Sequence, residues 1–98
     1  MAIRVGRDST TALLVSPLTL DAIQAEATAA HAKHGPNSML YGTDDRRFRI
    51  LAEEVGEVAR ELNDAEIEKR PVDRVKLVKE LIQVAAMAAT WIEAAEGQ

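Results

Sequence analysis

Three glutamates in one segment, Glu54, Glu57 and Glu61, recur three and four positions apart within LAEEVGEVARELND (51–64). At about 100° per residue they fall along one flank of a helix. Beside them runs an apolar stripe, Phe48, Leu51, Val55, Val58 and Leu62, which the same period predicts to face a core. Glu53 points roughly away from that stripe. Like charges at this spacing repel and weaken a helix slightly, so the ladder calls for lysines from elsewhere or for a cation. Hard divalent cations prefer carboxylate oxygens. A second acidic position strengthens the cation reading. Lys76, Glu80, Gln83 and Met87 share one narrow strip of a later segment, so Glu80 and Gln83 present oxygen ligands one turn apart. They do so where the chain becomes almost wholly apolar, and an uncompensated carboxylate is costly there. Two antiparallel helices would bring Glu54 and Glu57 opposite Glu80 and Gln83, a set of three carboxylates and one amide carbonyl that suits Mg²⁺.

Three helices must position these residues. The first is expected from Thr19, as its cap, to His34, with Asp21 in its first turn and Gly35-Pro36 as its stop. Ile23, Ala27 and Ala30 share one of its faces. GPNSMLYGTDD (35–45) reads as a loop. Thr43 or Asp44 caps the second helix, placed at 44–63, with Asn63-Asp64 weakening its end. Gly56 in mid-helix costs about 1 kcal/mol relative to Ala, which a close approach of another backbone would explain. Pro71 suits a first helical turn, so the third helix is expected from Pro71 or Val72 to about Ala95. Its LIQVAAMAATWI (81–92) is apolar on nearly every side, and a helix of that kind is buried all round. Two partner helices of one short chain cannot surround it. The expected fold class is therefore all-α: an antiparallel helical bundle of three main helices completed by self-association, a homo-oligomer (dimer or tetramer) with the third helix at its centre. Residues 1–17 show no helical period and form an N-terminal arm whose structure the sequence does not decide, before a helical domain over 18–96.

Composition narrows the partners. The 98 residues make one domain, rich in Ala, Leu, Val and Glu, with one Phe, one Trp and one Tyr. A net charge of −4 argues against a nucleic-acid polymer as main partner, since phosphate binding needs a basic surface. The absence of cysteine excludes disulfides, thiolate metal sites and Cys nucleophiles. No apolar run is long enough to span a bilayer, and the N-terminus has no signal-peptide core. A soluble, cytoplasmic protein with no membrane partner is expected.

EEVGE (Glu53 to Glu57) followed, after residues 58–79, by ELIQ (Glu80 to Gln83) resembles the EExxE…ExxD signature of the MazG-like all-α NTP pyrophosphatases. The resemblance covers roughly residues 19–95, including HAKHGPNSM before the second helix. EExxE alone is a weak signal in any acidic helix. Paired with Glu80 inside an apolar helix it becomes moderately specific. The resemblance implies that Glu54, Glu57 and Glu80 are ligands of Mg²⁺, with Mn²⁺ as a substitute and Gln83 completing the set. It implies hydrolysis of a nucleoside triphosphate between the α and β phosphates, giving monophosphate and pyrophosphate. The metal would offset phosphate charge and lower the pKa of the attacking water, and Glu57 or Glu53 would orient that water. Lys33, His34, Asn37, Arg46, Lys76 and Lys79, with Arg49, are the candidates for substrate contacts. The base would be read around His34, Asn37 and Met39, or by Trp91. No Gly-rich cradle with a lysine is present, so this is not a P-loop enzyme.

Gln83 stands where the signature has aspartate. An amide still coordinates through oxygen but removes one negative charge. The rival function is therefore a non-catalytic helical module, for oligomerisation or nucleotide binding, with a weakened metal site. Rival local readings run alongside. The glutamate ladder is otherwise a solvated flank neutralised by Arg60 and by lysines of neighbouring helices. Glu80 is otherwise the partner of Lys76 in an intrahelical ion pair worth roughly 0.5 kcal/mol. His31 and His34 are spaced as a ligand pair, but the ExxH motifs of a di-iron carboxylate bundle are missing. Trp91 and Met87 read as packing before they read as a base pocket.

Overall fold

In the computed structural model, described over residues 14–97, the chain is all-helical: α1 (Pro17–His34), α2 (Asp44–Ile67) and α3 (Arg74–Glu96). Of the expected arm, residues 1–13 lie outside the described residues, and Leu14 to Ser16 lead directly into α1. Ser16, rather than Thr19, caps α1, accepting a hydrogen bond from Thr19 N at 3.2 Å, and Pro17 takes the first helical position, where no N–H is missed. Gly35, at φ 51°, ends α1 as expected and opens a 3-10 turn over Gly35–Asn37. Thr43 caps α2 through Arg46 N at 3.2 Å, with Asp44 and Asp45 complementing the positive end of the helix.

The turn between α2 and α3 departs from expectation in two places. Asn63-Asp64 does not stop α2, which runs four residues further to Ile67 because Ala65 is buried beyond that pair. The helix then closes with Lys69 in left-handed backbone at φ 55°, its N–H bonded to Glu66 O and that of Arg70 to Ala65 O. That double bond is a Schellman closure, which usually employs glycine. Nor does Pro71 begin α3. Asp73 caps it, accepting from Lys76 N at 3.1 Å, while its own N–H donates to the carboxylate of Glu61 at 3.2 Å. That carboxylate holds the chain extended through the proline.

α2 and α3 are antiparallel. Trp91, late in α3, donates to Asp44, early in α2, at 2.9 Å, and Lys76, early in α3, meets Glu61, late in α2, at 3.4 Å. α1 lies on the other side of α3, and α1 and α2 pack on α3 rather than on each other. The result is a layer with α3 in the middle. Its apolar centre is small: Met39, Ala86 and Met87, with Ile23, Ala27, Ala30, Ile50, Leu51 and Trp91 against them. Among the described residues no helix is long and apolar enough to cross a membrane.

Of the five-residue stripe expected to be the core face of α2, only two residues are used. Leu51 and Val58 are half-buried, while Phe48, Val55 and Leu62 are exposed. Ala65, Arg47 and Glu61 take the buried places instead, the two charged residues because loop carbonyls meet Arg47 and the turn to α3 meets Glu61. Gly56 faces open space, so no close backbone approach among the described residues explains it. α3 is likewise buried on the side of Glu80 and Met87 and exposed at Val78, Leu81 and Ile92.

The Lys69 closure gives a direct test. A left-handed conformation costs an L-residue roughly 1–2 kcal/mol, and glycine avoids it while losing more chain entropy. Lys69→Gly is expected to stabilise the fold by about 0.5–1 kcal/mol, read as a higher urea midpoint with an unchanged slope.

Candidate functional site

Because α1 and α2 do not meet, the space between them over α3 is an open groove, a cavity of about 430 Å³. That volume lies within the usual range for small-molecule sites. The α2 wall supplies Arg46, Ile50, Glu53 and Glu54; the α1 wall supplies Glu26, Lys33 and His34. Asn37, Ser38 and Met39 close one end, and Gln83, Met87 and Thr90 of α3 form the floor. The expected residues Glu53, Glu54, Gln83, Lys33, His34, Asn37 and Arg46 are thus brought to one cavity.

Glu80 sits beside this floor, only 8% exposed. Its Oε1 and the Oε2 of Glu54 are buried and have no hydrogen-bond partner among the described residues. No lysine or arginine lies within ion-pair distance of either carboxylate among the described residues. Burial pushes the Glu54 carboxyl above the ordinary carboxylate range, and the charges of Glu57, Glu26, Glu53 and Glu80 push in the same direction. Glu57 therefore stands within electrostatic reach of Glu54, although it is exposed and lies outside the groove lining.

Glu61, the third member of the ladder, has a different environment. It is 2% exposed and fully engaged: Arg70 donates at 2.9 Å and 3.4 Å, Asp73 N at 3.2 Å, and Lys76 Nζ lies at 3.4 Å. The Arg70 guanidinium, followed by the Asp73 amide, holds its pKa down at about 2, and Arg70 is raised in turn. Lys76 is thereby drawn to Glu61 rather than to Glu80, and it lies outside the groove. Lys79 is outside it too, in a shallow depression between α1 and α3 with Ala22, Val75 and Ile82.

The group that fixes the mouth of the groove is not apparent from spacing. Arg47, buried one position after Arg46, donates to Met39 O at 2.8 Å, Leu40 O at 3.0 Å and Asp44 Oδ1 at 3.1 Å. Asp44 Oδ1 also accepts from Trp91, so one chain of hydrogen bonds ties the end of α3 to the loop. Trp91 is committed to that contact and to the core, and Met87 to the groove floor. Arg46 donates to Asn37 O at 2.7 Å, while His31 Nδ1 and Ser38 Oγ share a bond of 2.8 Å. His31 is thus held by the loop. Glu26 is the other residue missed; its only signal is its place three residues after Ile23 and four before Ala30, at the edge of the core-facing strip of α1.

The donor chemistry suits a hard divalent cation, with buried carboxylate oxygens lacking any proton donor and an amide oxygen beside them. The side chains are not already gathered around a point: among the described residues no three His, Asp or Glu groups converge closely enough to hold a metal ion. Comparisons with protein-family models, with curated proteins and with solved structures returned no match.

The two kinds of glutamate give opposite pH dependences. Glu54, whose pKa is raised by folding, stabilises the fold while protonated, and that contribution is lost as pH rises above the ordinary value of 4.5 through its folded value. Glu61, whose pKa is lowered, stabilises above 4.5, and its contribution is lost as pH falls towards about 2. In metal-free thermal melts at pH 7, Glu54→Gln is therefore expected to melt higher than the parent and Glu61→Gln lower. Both differences should shrink as the pH is brought down, that of Glu54→Gln near pH 4.5 and that of Glu61→Gln towards about 2.

Proposed function

We propose that this chain is a Mg²⁺-dependent nucleotide pyrophosphohydrolase of the MazG-like kind, hydrolysing a ribo- or deoxyribonucleoside triphosphate to monophosphate and pyrophosphate. The observation that carries the reading is the pair of buried, partnerless carboxylate oxygens of Glu54 and Glu80 beside a cavity that also holds Lys33, His34 and Arg46. Carboxylates without an ion-pair partner among the described residues share the groove region with basic groups that suit phosphate oxygens. A polyphosphate carrying a divalent cation satisfies both.

In this reading Glu54, Glu57, Glu80 and the amide oxygen of Gln83 would hold Mg²⁺, or Mn²⁺ in its place. Bound there, the cation offsets phosphate charge and makes a bound water more acidic. Glu53, on the groove wall, orients the attacking water, with Glu57 as the alternative one turn along. Lys33 and Arg46 meet the phosphates, and Arg46 is already positioned by its bond to Asn37. His34, Asn37 and Met39 lie where a base would enter. Lys76 and Lys79, outside the groove, are left to steer the charged substrate. The protein would work in the cytoplasm on a nucleotide pool, as a homo-oligomer, since Phe48, Val55, Leu62, Val78, Leu81 and Ile92 are all exposed in the single chain.

A second reading rests on Gln83. With an amide at that position the site carries one negative charge fewer than the family signature, and the chain would be a helical nucleotide-binding or oligomerisation module without turnover. Pyrophosphate release from a panel of common and modified NTPs and dNTPs, with and without Mg²⁺, separates the two. Mg²⁺-dependent release from at least one triphosphate is expected. No release from any of them, together with unimpaired nucleotide binding, would favour the module. Gln83→Asp adds a carboxylate to the groove floor and is expected to tighten Mg²⁺ binding at least severalfold. A folded variant that binds Mg²⁺ no better than the parent would place position 83 away from the metal.

A further inference from the structure

The face of the layer opposite the groove is apolar and open. On α3, Met87 and Gln83 point to the groove, and Val78, Ala85 and Ile92 lie roughly 140–180° around the helix from Met87. Val78 is 53% exposed, Leu81 47% and Ile92 56%. On α2, Val55 lies roughly 160° from the groove residue Glu53 and, with Phe48 and Leu62, extends the same back face. Val78, Leu81, Ala85, Ala88 and Ile92 alternate three and four apart, the seam spacing by which one helix packs along another.

This stripe also has a symmetry of its own. Counting outward from Ala85, Val78 and Ile92 are seven residues away in opposite directions, and Arg74 and Glu96 are eleven away. Seven and eleven residues are close to whole numbers of helical turns, so all four lie within about 20° of Ala85 on the helix surface. The two ends carry opposite charges. Arg74 and Glu96 are both exposed and neither pairs with an opposite charge among the described residues. The small side chains of Ala85, Ala88 and Ala89 occupy the middle, where two helices would come closest.

We propose that a second copy of this chain packs on this back face, α3 against α3 in antiparallel sense, about a two-fold axis at Ala85. An isologous contact needs a patch complementary to itself, and a stripe that is apolar, small at its centre and oppositely charged at its ends meets that need in one orientation only. Antiparallel pairing sets each Arg74 beside the Glu96 of the other copy and each Val78 beside its Ile92. Parallel pairing would set arginine beside arginine and glutamate beside glutamate. The pairing leaves both grooves facing outward. It names the surface of the proposed oligomer and is independent of the nucleotide reading, because none of its residues lines the groove.

The test uses the full chain, which has no cysteine of its own. Sedimentation should show a dimer at micromolar concentration. Ala85→Cys should oxidise to a covalent dimer of the same size, because a residue on a two-fold axis meets its own copy. Arg60→Cys, exposed on the groove side of α2 about 20° around the helix from Glu53, should not. Arg74→Glu should weaken dimerisation about tenfold, since symmetry turns one lost attraction into two repulsions, and adding Glu96→Arg should restore it to within about threefold. A folded monomer at these concentrations would overturn the proposal, because something other than a second copy then covers the face. A dimer that Ala85→Cys fails to cross-link would place the interface elsewhere. A cross-linked dimer in which Arg74→Glu has no effect, or in which Glu96→Arg fails to rescue it, would overturn the antiparallel pairing.

Discussion

The carboxylate of Glu61 fixes how α2 lies against α3. It takes hydrogen bonds from Arg70 and from the amide of Asp73, and it lies beside Lys76. One buried acid thus holds the end of α2, the whole turn and the first turn of α3. A buried charge paired on several sides is costly to break by removing one partner, so the register of the two helices follows from it. That register is what sets Glu53 and Glu54 beside Gln83 and Glu80. At the far end Trp91, Asp44 and Arg47 make the corresponding tie and set the loop that closes the groove.

With both ends of α2 held, the middle of the pair can bear an unfavourable arrangement. Glu54 and Glu80 contribute buried oxygens that nothing among the described residues satisfies, and four neighbouring glutamates raise the cost of ionising Glu54. Natural folds keep such groups where function needs them more often than where stability does. The three acids of one ladder therefore divide: Glu61 is structural, Glu54 is unpartnered in the groove, and Glu57 stands exposed between them.

Much of this was legible in the sequence, and the failures have definite causes. Helix number, the stop at Gly35 and the cap at Thr43 follow from local chemistry, which acts within a few residues. Helical period and antiparallel order bring Glu54 to the side of Glu80 and Gln83. But they turn Glu53 towards water and Glu57 inward, whereas Glu53 lines the groove and Glu57 is exposed outside it. The separate role of Glu61 does not follow from them, because periodicity gives Glu54 and Glu61 the same face; only Arg70, across a turn, distinguishes them. Arg47 was hidden for a similar reason. Its burial depends on the carbonyls of Met39 and Leu40, and backbone acceptors leave no mark on a sequence. Helical period makes the apolar stripe of α2 a core face, yet three of its five residues, Phe48, Val55 and Leu62, are exposed in the single chain. Amphipathicity reports that a face is to be covered, not which partner covers it.

The central claim is that Glu54 and Glu80 are left without partners in order to share a divalent cation. Thermal melts of the parent and of Glu80→Gln, each in EDTA and in millimolar Mg²⁺, test it most directly. A shared site predicts that Glu80→Gln melts no lower than the parent in EDTA, because one of several repelling charges is gone. It also predicts that Mg²⁺ stabilises the parent, by about 2.7 kcal/mol when free metal is 100 times its dissociation constant, and that the variant loses most of that gain. Equal Mg²⁺ shifts in the two proteins, or no shift in either, would contradict the account.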